Sequence, residues 1–597
     1  MGKWIMAPSS SRSCDAITTE VVRYELVSAA EEMKRLFKRT TTLGVLYELN
    51  DFGISIYDAA LNLIADVPGI PLFSGTLNYC VKSCIDQVGQ ENLAAGDVLT
   101  TTVPFDTGGQ PVDAAMLSPV FVGDELIGYT ALKAHVGDLG AIDPYPTTST
   151  DMFQDGLMMP ALYLYRKGEL QDAIVRLIKA NSRIPNTTVT SFLAGASALR
   201  AGARRVTALA ERYGTTIFHE AIHEMIAHGE AISRAALAAI PEGTWEVVDW
   251  MDNNGVDPDP VKISVRVTIR GGEFIVDLSN SAPQQRGPIN SPFPGTVSAC
   301  RYAMKALTTP KLPANEGHFR PLKVIAPRGC IFHPQPPAAC FLYAWPEKRL
   351  IDLIPMALAE AIPERVPAHS GGDLLPFLMA YFDTSTGRGD YGGGVDAIGM
   401  GATSNHDGVD ALLHHSEAGC CNIPIEVQEW RVPVMIERYE MRPDSGGAGR
   451  SRGGVGATKD YRTLATVTAI SVVERTVASK VSGIAGGGPG ALNAAVFYPD
   501  TTKEFRRGKH KAELVPGEVV RIEGGGGCGW GDPFQRDPKR VLDDVIAGYV
   551  TPGGAKRDYG VVVGEKDGDF VVDAAATLAL RASHEESKNS TTVHTRE

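Results

Sequence analysis

The residues best suited to chemistry lie in one stretch, from Thr102 to Asp138. A Gly-rich loop leads there into Asp113, a strand-like apolar run follows, and then come His135 and Asp138 beside glycines. Glycine lets backbone approach a ligand closely, and carboxylates and imidazoles at strand ends serve metal binding or acid–base chemistry. Together with Asp51 from an upstream turn, these residues form a candidate metal site, although each is also an ordinary turn or cap residue when read alone.

A second motif is HExxH, from His219 to His223 on a predicted helix. This spacing puts both imidazoles on one helix face, where they can bind zinc with Glu220 as the general base. No third ligand follows in a recognisable downstream motif, and the apolar positions around it are those of an ordinary surface helix. We therefore favour a solvated helix face over a zinc protease site.

Two Gly-rich segments are similar to nucleotide-binding loops but lack their defining features. Gly524, Gly526 and Gly529 spell GxGxxG after a predicted strand, yet no helix opens from this loop, as a dinucleotide fold requires. Residues 446–456 (GGAGRSRGGVG) lack the Gly-Lys-Ser/Thr ending of a phosphate-binding loop. We predict structural turns here and no ATP site in this chain. The GxSxG elbow of serine hydrolases is also absent from the sequence.

Two adjacent histidines, His414 and His415, precede Cys420 in a predicted loop. Neighbouring residues on a strand point to opposite faces, so at most one of the two would face any site. A polar loop is the favoured interpretation.

Composition narrows the class of protein. A net charge of −13 over 597 residues argues against a nucleic-acid binder, which would show a basic face. The N-terminus has no apolar signal-peptide core, and no apolar run reaches the roughly 18 residues of a membrane helix, so we expect a soluble, cytoplasmic protein. Nine scattered cysteines without a CxxC pair indicate buried free thiols rather than disulfides or a structural zinc site.

Hydrophobic periodicity predicts an α+β fold in which a mixed N-terminal α/β region with a helical segment precedes a large β-rich domain with inserted helices. The predicted helices cover residues 17–40, 172–181, 197–212, 217–238, 349–361 and 539–547. The predicted strands lie around 53–57, 96–103 and 117–133, with a hairpin of 261–269 and 274–278.

Near residue 240 the period of the hydrophobic pattern changes from that of helices to that of strands, which suggests a domain boundary. We predict a flexible N-terminus (1–16), an N-terminal α/β domain with the candidate metal site (17–240) and a β-rich domain (241–535). A C-terminal helical extension (536–583) and a polar, disordered tail (584–597) would complete the chain.

At the candidate metal site the sequence resembles the hydantoinase B family, the B-type subunits of ATP-dependent hydantoinases, oxoprolinases, lactamases and acetone- or acetophenone-type carboxylases. The similarity runs from about residue 19 to 563 and is carried by several segments in the same order. They are TEVVRYELVSAAEEM, DMFQDGLMMPALYLYRKGEL (151–170), RGPINSP (286–292), NEGHFRPLKVIAPRG (315–329), ERYEMRPDSGGAGRSRGGVG (437–456) and GGGGCGWGDPFQRDP (524–538).

The resemblance implies a divalent metal (Zn, Mn or Mg) held by Asp51, Asp113, His135 and Gln110. Gln110 replaces a histidine of the family pattern, and three further family histidines map to Gly69, Phe73 and Val136. An amide oxygen is a poor zinc ligand and suits Mg²⁺ or Mn²⁺ better. Either this site binds a harder ion, and binds it more weakly, or the site works without an ion. Asp138 would orient His135 and so share its catalytic role.

The resemblance also implies a division of labour. An A-type partner holds ATP and phosphorylates the substrate, and a small third subunit is a further possible partner. The B-type subunit then completes the reaction in a hetero-oligomer. The first hypothesis is hydrolytic opening of a cyclic amide of the hydantoin, oxoproline or lactam type. The alternatives are a subunit of an ATP-dependent ketone carboxylase and a non-catalytic scaffold subunit.

Overall fold

The computed structural model describes residues 14–383, 388–417, 419–477 and 483–593, with the backbone alone at 383, 388 and 587–593. The predicted flexible N-terminus therefore lies almost entirely outside the described residues. No helix within the described ranges is both long and apolar enough to cross a membrane.

The described helices range from single turns to long rods. They are α1 (Ala16–Thr40), α2 (Gly44–Tyr47), α3 (Pro71–Ser74), α4 (Leu77–Val88), α5 (Pro104–Thr107), α6 (Asp172–Ala180), α7 (Pro185–Tyr213), α8 (Thr215–Ala238), α9 (Phe293–Thr308), α10 (Ala344–Ala357), α11 (Ile425–Arg431), α12 (Pro538–Ile546), α13 (Pro552–Tyr559) and α14 (Ala574–Val593).

The strands before residue 330 form two of the sheets. They are β1 (Phe52–Asp58), β2 (Leu63–Pro68), β3 (Val98–Thr101), β4 (Asp113–Val122), β5 (Glu125–His135), β6 (Leu162–Arg166), β7 (Glu169–Leu170), β8 (Gly243–Met251), β9 (Val261–Arg270), β10 (Glu273–Asp277) and β11 (Leu322–Ile325).

The later strands form three further sheets. They are β12 (Phe377–Asp383), β13 (Arg388–Gly394), β14 (Val434–Met441), β15 (Ala457–Thr463), β16 (Val467–Val472), β17 (Ala494–Phe497), β18 (Phe505–Arg506), β19 (Lys509–Leu514), β20 (Val519–Glu523), β21 (Val563–Lys566) and β22 (Asp569–Val572).

A seven-stranded antiparallel sheet, in the order β2-β1-β5-β4-β3-β6-β7, carries the candidate site. Alternate side chains of a strand point to opposite faces, and β4 is buried on both. Met116 packs under α7, where a side chain on Gly195 would overlap it. Leu117 faces the cluster built around Cys80 and Val81 of α4. The sheet is therefore held rigidly between helices.

Four smaller sheets follow in the chain. Their strand orders are β11-β10-β9-β8, β13-β12-β16-β19, β14-β15-β20-β17-β18 and β21-β22. Helices and several sheets are thus mixed throughout, which confirms the predicted α+β class.

The principal hydrophobic core crosses the predicted boundary at 240. One cluster of buried residues extends from Cys14 to Cys528 and includes side chains from α1, α7, β9, α9 and α10. The predicted domain limits stay a prediction, although the change from helix to strand does fall between Ala238 and Gly243.

Most predicted elements are present in the structure, and the differences have physical causes. Helix α7 begins at Pro185, well before the predicted residue 197, because proline is favoured in the first turn, where its missing N–H is not needed. Helix α10 begins at Ala344 rather than Arg349 because an all-buried helix shows no polar face to mark its start.

The predicted disordered tail is wrong for residues 584–593. Helix α14 continues through them to Val593, since an Ala- and Leu-rich start and two glutamates favour propagation of the helix. Residues 594–597 lie outside the described part of the chain.

Candidate functional site

Three adjacent strand ends bring the candidate residues together. Asp51 precedes β1, Asp113 begins β4, and His135 ends β5. In the β4–β5 pair Asp113 lies directly opposite His135, while the backbone N–H of His135 donates to the carbonyl of Asp51 at 3.2 Å. The central position of β5 between β1 and β4 therefore fixes the three side chains at one edge of the sheet.

The polar contacts centre on Nδ1 of His135. It lies 3.1 Å from Oδ1 of Asp113, 3.0 Å from Nε2 of Gln110 and 4.0 Å from Oδ2 of Asp51. Gln110 Nε2 also donates to Asp113 Oδ1 at 3.2 Å. The structure thus brings Asp51, Gln110, Asp113 and His135 into one cluster, as the sequence predicted.

Two buried residues outside the predicted set complete this cluster. The hydroxyl of Tyr343 donates to Oδ2 of Asp113 at 2.7 Å, and the ammonium of Lys133 donates to the carbonyls of Thr107 and Gly108. A Cβ at Gly109 would lie 2.6 Å from this ammonium, so a side chain there would displace Lys133. The sequence could have indicated Lys133, because this residue lies two positions before His135 and so faces the same side of β5.

Burial and charge set the protonation of the cluster. Burial raises the pKa of Asp51 to about 7, against the lowering effect of His135. Burial also acts against ionisation of Asp113, but its hydrogen bond to His135 and the charges of His135 and Lys133 hold its pKa below the usual value. For His135, burial is outweighed by Asp113 and Asp51, so its pKa is raised. The cluster therefore favours an imidazolium between a carboxylate and a group that titrates near neutral pH.

The cluster faces two small adjoining cavities of about 60 and 90 Å³. Asp51 and Gln110 line both. Apolar and aromatic side chains form much of the remaining wall, among them Phe73, Phe341 and Trp345. Such a cavity accepts a small molecule and excludes bulk water from the polar groups.

An ion pair between Lys348 and Glu417 lines the smaller inner cavity. The Lys348 Nζ to Glu417 Oε1 distance is 2.9 Å, and the two side chains are 1% and 4% exposed. Lys348 comes from α10 and Glu417 from a short turn after the two adjacent histidines. Sequence reasoning missed both, because nothing in the local pattern distinguishes these charges from surface residues.

The orienting role predicted for Asp138 is wrong. Gly137 (φ 113°) turns the chain away after His135, and the Asp138 carboxylate accepts from the Arg183 guanidinium at 2.6 Å and from the Gly140 N–H at 3.2 Å. Asp113 takes the place expected for Asp138 beside the imidazole. Asp138 and Arg183 instead line a larger outer cavity of about 510 Å³, which shares Tyr391 with the inner cavities.

The remaining motifs have structural roles. His219 lies on the exposed side of α8 and pairs with Glu125 at 3.0 Å, and His223 is exposed, as expected for a solvated helix face. The glycines of 446–456 and 524–531 pack backbone against backbone, which is the predicted structural role. The cysteines of the described residues are free thiols, as predicted, but Cys420 is only half-buried and Cys421 is exposed, so the predicted burial is wrong for these two.

The histidine pair differs from its prediction. Both imidazoles approach one carboxylate, Asp352, because the chain enters a 3₁₀ turn at His415 instead of continuing as a strand. The pair lies in a loop and turn, as favoured, but its two rings do not point to opposite sides.

The first cluster fits a hard divalent cation. Among the described residues Asp51 Oδ1 and Gln110 Oε1 are buried oxygens without a hydrogen-bond partner. With Asp113 they offer carboxylate and amide oxygens, which suit Mg²⁺ or Mn²⁺ better than Zn²⁺. His135 would add a nitrogen donor after losing the proton that Asp113 and Asp51 favour on its ring. Which amide atom of Gln110 faces His135 follows from the hydrogen-bond assignment and can reverse when an ion binds.

Comparison with known proteins identifies the family. The hydantoinase B/oxoprolinase sequence profile matches residues 15–533. The chain belongs to the hydantoinase B/oxoprolinase family. A relative from Pseudomonas sp. (strain NS671), described as the putative B subunit of a D-/L-hydantoinase, is 28% identical and covers 96% of this chain and 98% of its own.

The beta subunit of caprolactamase from Pseudomonas jessenii is 30% identical over 96% of this chain and 99% of its own. The crystal structure of the ATP-dependent caprolactamase from that organism superposes with a TM-score of 0.85 at 28% identity, covering 96% of this chain and 100% of the other. A nucleotide-free structure of acetone carboxylase superposes with a TM-score of 0.89 at 19% identity, covering 97% and 84%, and so shares the fold.

Proposed function

We propose that this chain is the B-type catalytic subunit of an ATP-dependent multi-subunit enzyme that opens a cyclic amide by hydrolysis of its C–N bond. An A-type partner would bind ATP and phosphorylate the substrate, and this chain would act on the activated molecule. The observation that carries the proposal is the cluster of Asp51, Gln110, Asp113 and His135 at the wall of a small, water-excluding cavity. The names of the hydantoinase and caprolactamase relatives support the substrate class.

Within this proposal each residue has a defined task. A divalent ion held by Asp51, Asp113, His135 and Gln110 would supply Lewis-acid activation of water near neutral pH. Asp113 orients the imidazole of His135 through a hydrogen bond of 3.1 Å, and Tyr343 holds Asp113 by donating to its other oxygen at 2.7 Å. Without an ion, burial raises the pKa of Asp51 to about 7, so binding of the ion to this carboxylate would release a proton below neutral pH.

The charged and apolar side chains that line the inner cavity would contact the substrate. Lys348 places a buried positive charge beside the cavity, where it would stabilise negative charge on the activated carbonyl or its phosphoryl group. The aromatic rings of Phe73, Phe341 and Trp345 exclude other water molecules.

A subunit of an ATP-dependent ketone carboxylase is the second candidate. One observation favours it: Phe73, at the position of a family histidine, lines the inner cavity, and the Lys133 ammonium lies 4.6 Å from the centre of its ring. A drier wall would protect a phosphorylated enol from hydrolysis. A non-catalytic scaffold is the third candidate.

Activity of the complex tests the proposal. The chain is produced together with a candidate A-type subunit, and ATP-dependent ring opening of hydantoin, 5-oxoproline and caprolactam is measured without bicarbonate. Consumption of acetone or acetophenone with bicarbonate is measured in parallel. Ring opening without bicarbonate supports hydrolysis. Consumption of ketones with bicarbonate, in the absence of any ring opening, supports the carboxylase.

Asp113→Asn separates a catalytic subunit from a scaffold. We expect at least a ~100-fold loss of turnover with the complex intact, because the variant removes the charge that orients His135. Asp124→Asn, in the exposed β4–β5 turn, is the matched control. Unchanged turnover in Asp113→Asn would support the scaffold role instead.

A further inference from the structure

A second group of metal-ligating side chains lies outside the candidate site. Asp352, His414 and His415 each present one ligand atom, and these atoms all lie within 4.8 Å of one another. No other set of three histidine, cysteine, aspartate or glutamate side chains in the described residues meets this distance, the first cluster included. Asp352 comes from α10, whereas the two histidines lie in the segment that leads to Glu417.

The distances suit a shared ion. His415 Nε2 lies 2.8 Å from Asp352 Oδ1, and His414 Nε2 lies 3.4 Å from Asp352 Oδ2. Ligands of a tetrahedral zinc ion, at about 2.0–2.1 Å from the metal, lie roughly 3.3 Å from one another. Small side-chain movements would therefore place the three atoms around one ion.

Buried nitrogen atoms without hydrogen-bond partners point to a ligand. Within the described residues, Nε2 of His414 and Nε2 of the neighbouring His369 have no hydrogen-bond partner, and both side chains are fully buried. His369 Nε2 lies 3.6 Å from Asp352 Oδ2. A buried polar atom left unpaired costs about 1–3 kcal/mol, and a cation at Asp352 would satisfy these nitrogens.

The surrounding hydrogen bonds hold the ligands in place. Ser370 Oγ donates to Asp352 Oδ2 at 2.7 Å, and His369 Nδ1 lies 2.7 Å from the Ser370 carbonyl. His414 Nδ1 lies 2.7 Å from Ser416 Oγ, which in turn lies 3.3 Å from Glu417 Oε1. Supports of this kind behind a histidine fix its ring and leave Nε2 for the metal.

The tautomer of His414 depends on this support. The backbone N–H of Ser416 also points to Nδ1, at 3.2 Å. The Ser416 N–H requires a lone pair on Nδ1, so metal at Nε2 requires the ring to adopt the other tautomer, in which Nδ1–H donates to Ser416 Oγ.

An ion has a route to this group. The His415 side chain is 29% exposed, and its ring packs edge-on against Tyr302 with centroids 5.8 Å apart. Tyr302 lines a surface cavity of about 540 Å³ between α1 and α9. The other two ligands, Asp352 and His414, are 4% and 0% exposed, so His415 is the ligand that solvent reaches.

We propose that Asp352, His414 and His415 form a second metal site, for a borderline divalent ion such as Zn²⁺. Two imidazoles and one carboxylate match the ligand preference of this ion class, in contrast to the oxygen-rich first cluster. Lys348 lies one turn before Asp352, and Glu417 follows His415 by two residues. The ion would therefore tie α10 to the 414–417 segment and fix the Lys348–Glu417 pair over the cavity.

Zinc binding by variants of the full chain tests this site. The first cluster is disabled with Asp113→Asn, the protein is stripped with a chelator, and Zn²⁺ is titrated by calorimetry with metal content measured by atomic emission. We expect the Asp113→Asn variant still to bind one equivalent of Zn²⁺. Adding His415→Gln, a substitution at the partly exposed ligand, should weaken its affinity at least ~10-fold. Adding His223→Gln, on the exposed face of α8, should leave it unchanged.

Cobalt spectroscopy provides a second readout that does not depend on activity. Co²⁺ added to Asp113→Asn should give visible absorption of a low-coordinate nitrogen–oxygen site, and this absorption should disappear with His415→Gln. Circular dichroism shows whether each variant is folded. No Zn²⁺ equivalent in folded Asp113→Asn, or binding that survives both His415→Gln and His414→Gln, would overturn the proposal. Neither result bears on cyclic amide hydrolysis, which is measured separately.

Discussion

At the scale of single residues, Gln110 is the member of the candidate site that would set its proposed preference for a hard ion. It lies 3.0 Å from His135 and 3.2 Å from Asp113, where a ligand would be expected, but it offers an amide instead of an imidazole. Asp51 Oδ1 remains without a hydrogen-bond partner among the described residues, so the cluster has the capacity to bind an additional positive charge.

Replacing Gln110 with histidine should shift the site towards zinc. In Gln110→His we expect Zn²⁺ affinity at the first cluster to rise by about 10–100-fold, because nitrogen is a better zinc donor than an amide oxygen. Competitive titration with a fluorescent zinc indicator measures this in a His415→Gln background, which weakens the second proposed site. Gln90→His, on an exposed turn, is the control. Equal affinity in both variants would show that residue 110 is not a ligand.

The buried His318 makes the stability of the chain depend on pH. Its Nδ1 accepts the Asn315 N–H at 3.2 Å in a capping box against α8, and burial lowers the pKa of His318 to about 4. Because this pKa is depressed in the folded state, the unfolded chain binds the proton first. The contribution to stability is complete above about pH 6.5 and is lost as the pH falls towards 4.

Urea unfolding at pH 7 and pH 5 should reveal this contribution. We expect the free energy of unfolding to fall by about 2 kcal/mol more in the wild-type chain than in His318→Gln. His223→Gln, with an exposed histidine, should behave like the wild type. The same pH dependence in all three proteins would contradict the assignment.

At the scale of elements, strand register explains why residues distant in sequence form one site. Asp113 and His135 were recognisable because they flank a predicted strand region, and the structure pairs them directly across β4 and β5. Asp51 joins them because β1 adds to the other edge of β5. Lys348 and Glu417 come from elements whose approach depends on the packing of α10 over the sheet, and no local pattern encodes it.

The Gly-rich segments at 446–456 and 524–531 fix the later sheets by close backbone contact. A Cβ on Gly527 would overlap the carbonyl of Met400, a backbone atom that cannot move away. Gly527→Ala should therefore destabilise the chain by at least about 2 kcal/mol in urea unfolding. Gly564→Ala, with no atom within 4 Å of the added carbon, should change stability by less than about 0.5 kcal/mol. Equal stabilities would disprove this backbone packing.

At the scale of the whole molecule, the candidate site belongs to both predicted halves. Asp51, Asp113 and His135 come from the sheet before residue 240, whereas Tyr343, Lys348 and Glu417 come from elements after it. The main hydrophobic cluster also crosses this point. The two regions therefore depend on each other for packing and for the cavity.

A truncated chain tests this dependence. Residues 14–240 produced alone would expose the core that α9 and α10 cover, so we expect aggregation or a dye-binding, loosely packed state. The full chain should unfold with its N- and C-terminal probes in one transition. A stable, monomeric 14–240 fragment with cooperative unfolding would instead support the predicted domain limits.

The sequence by itself determined the fold class and the family, and it predicted four residues that the structure brings together, Asp51, Gln110, Asp113 and His135. It could do so because strand and helix periods are local, and because the residues carrying the chemistry stand in recognisable segments. Only the tertiary structure decided that Asp138 turns to Arg183, that Tyr343 and Lys133 hold Asp113, and that two adjacent histidines meet Asp352. Those outcomes depend on chain direction after a glycine, on a 3₁₀ turn and on long-range packing, and none of these is encoded in a short stretch of residues.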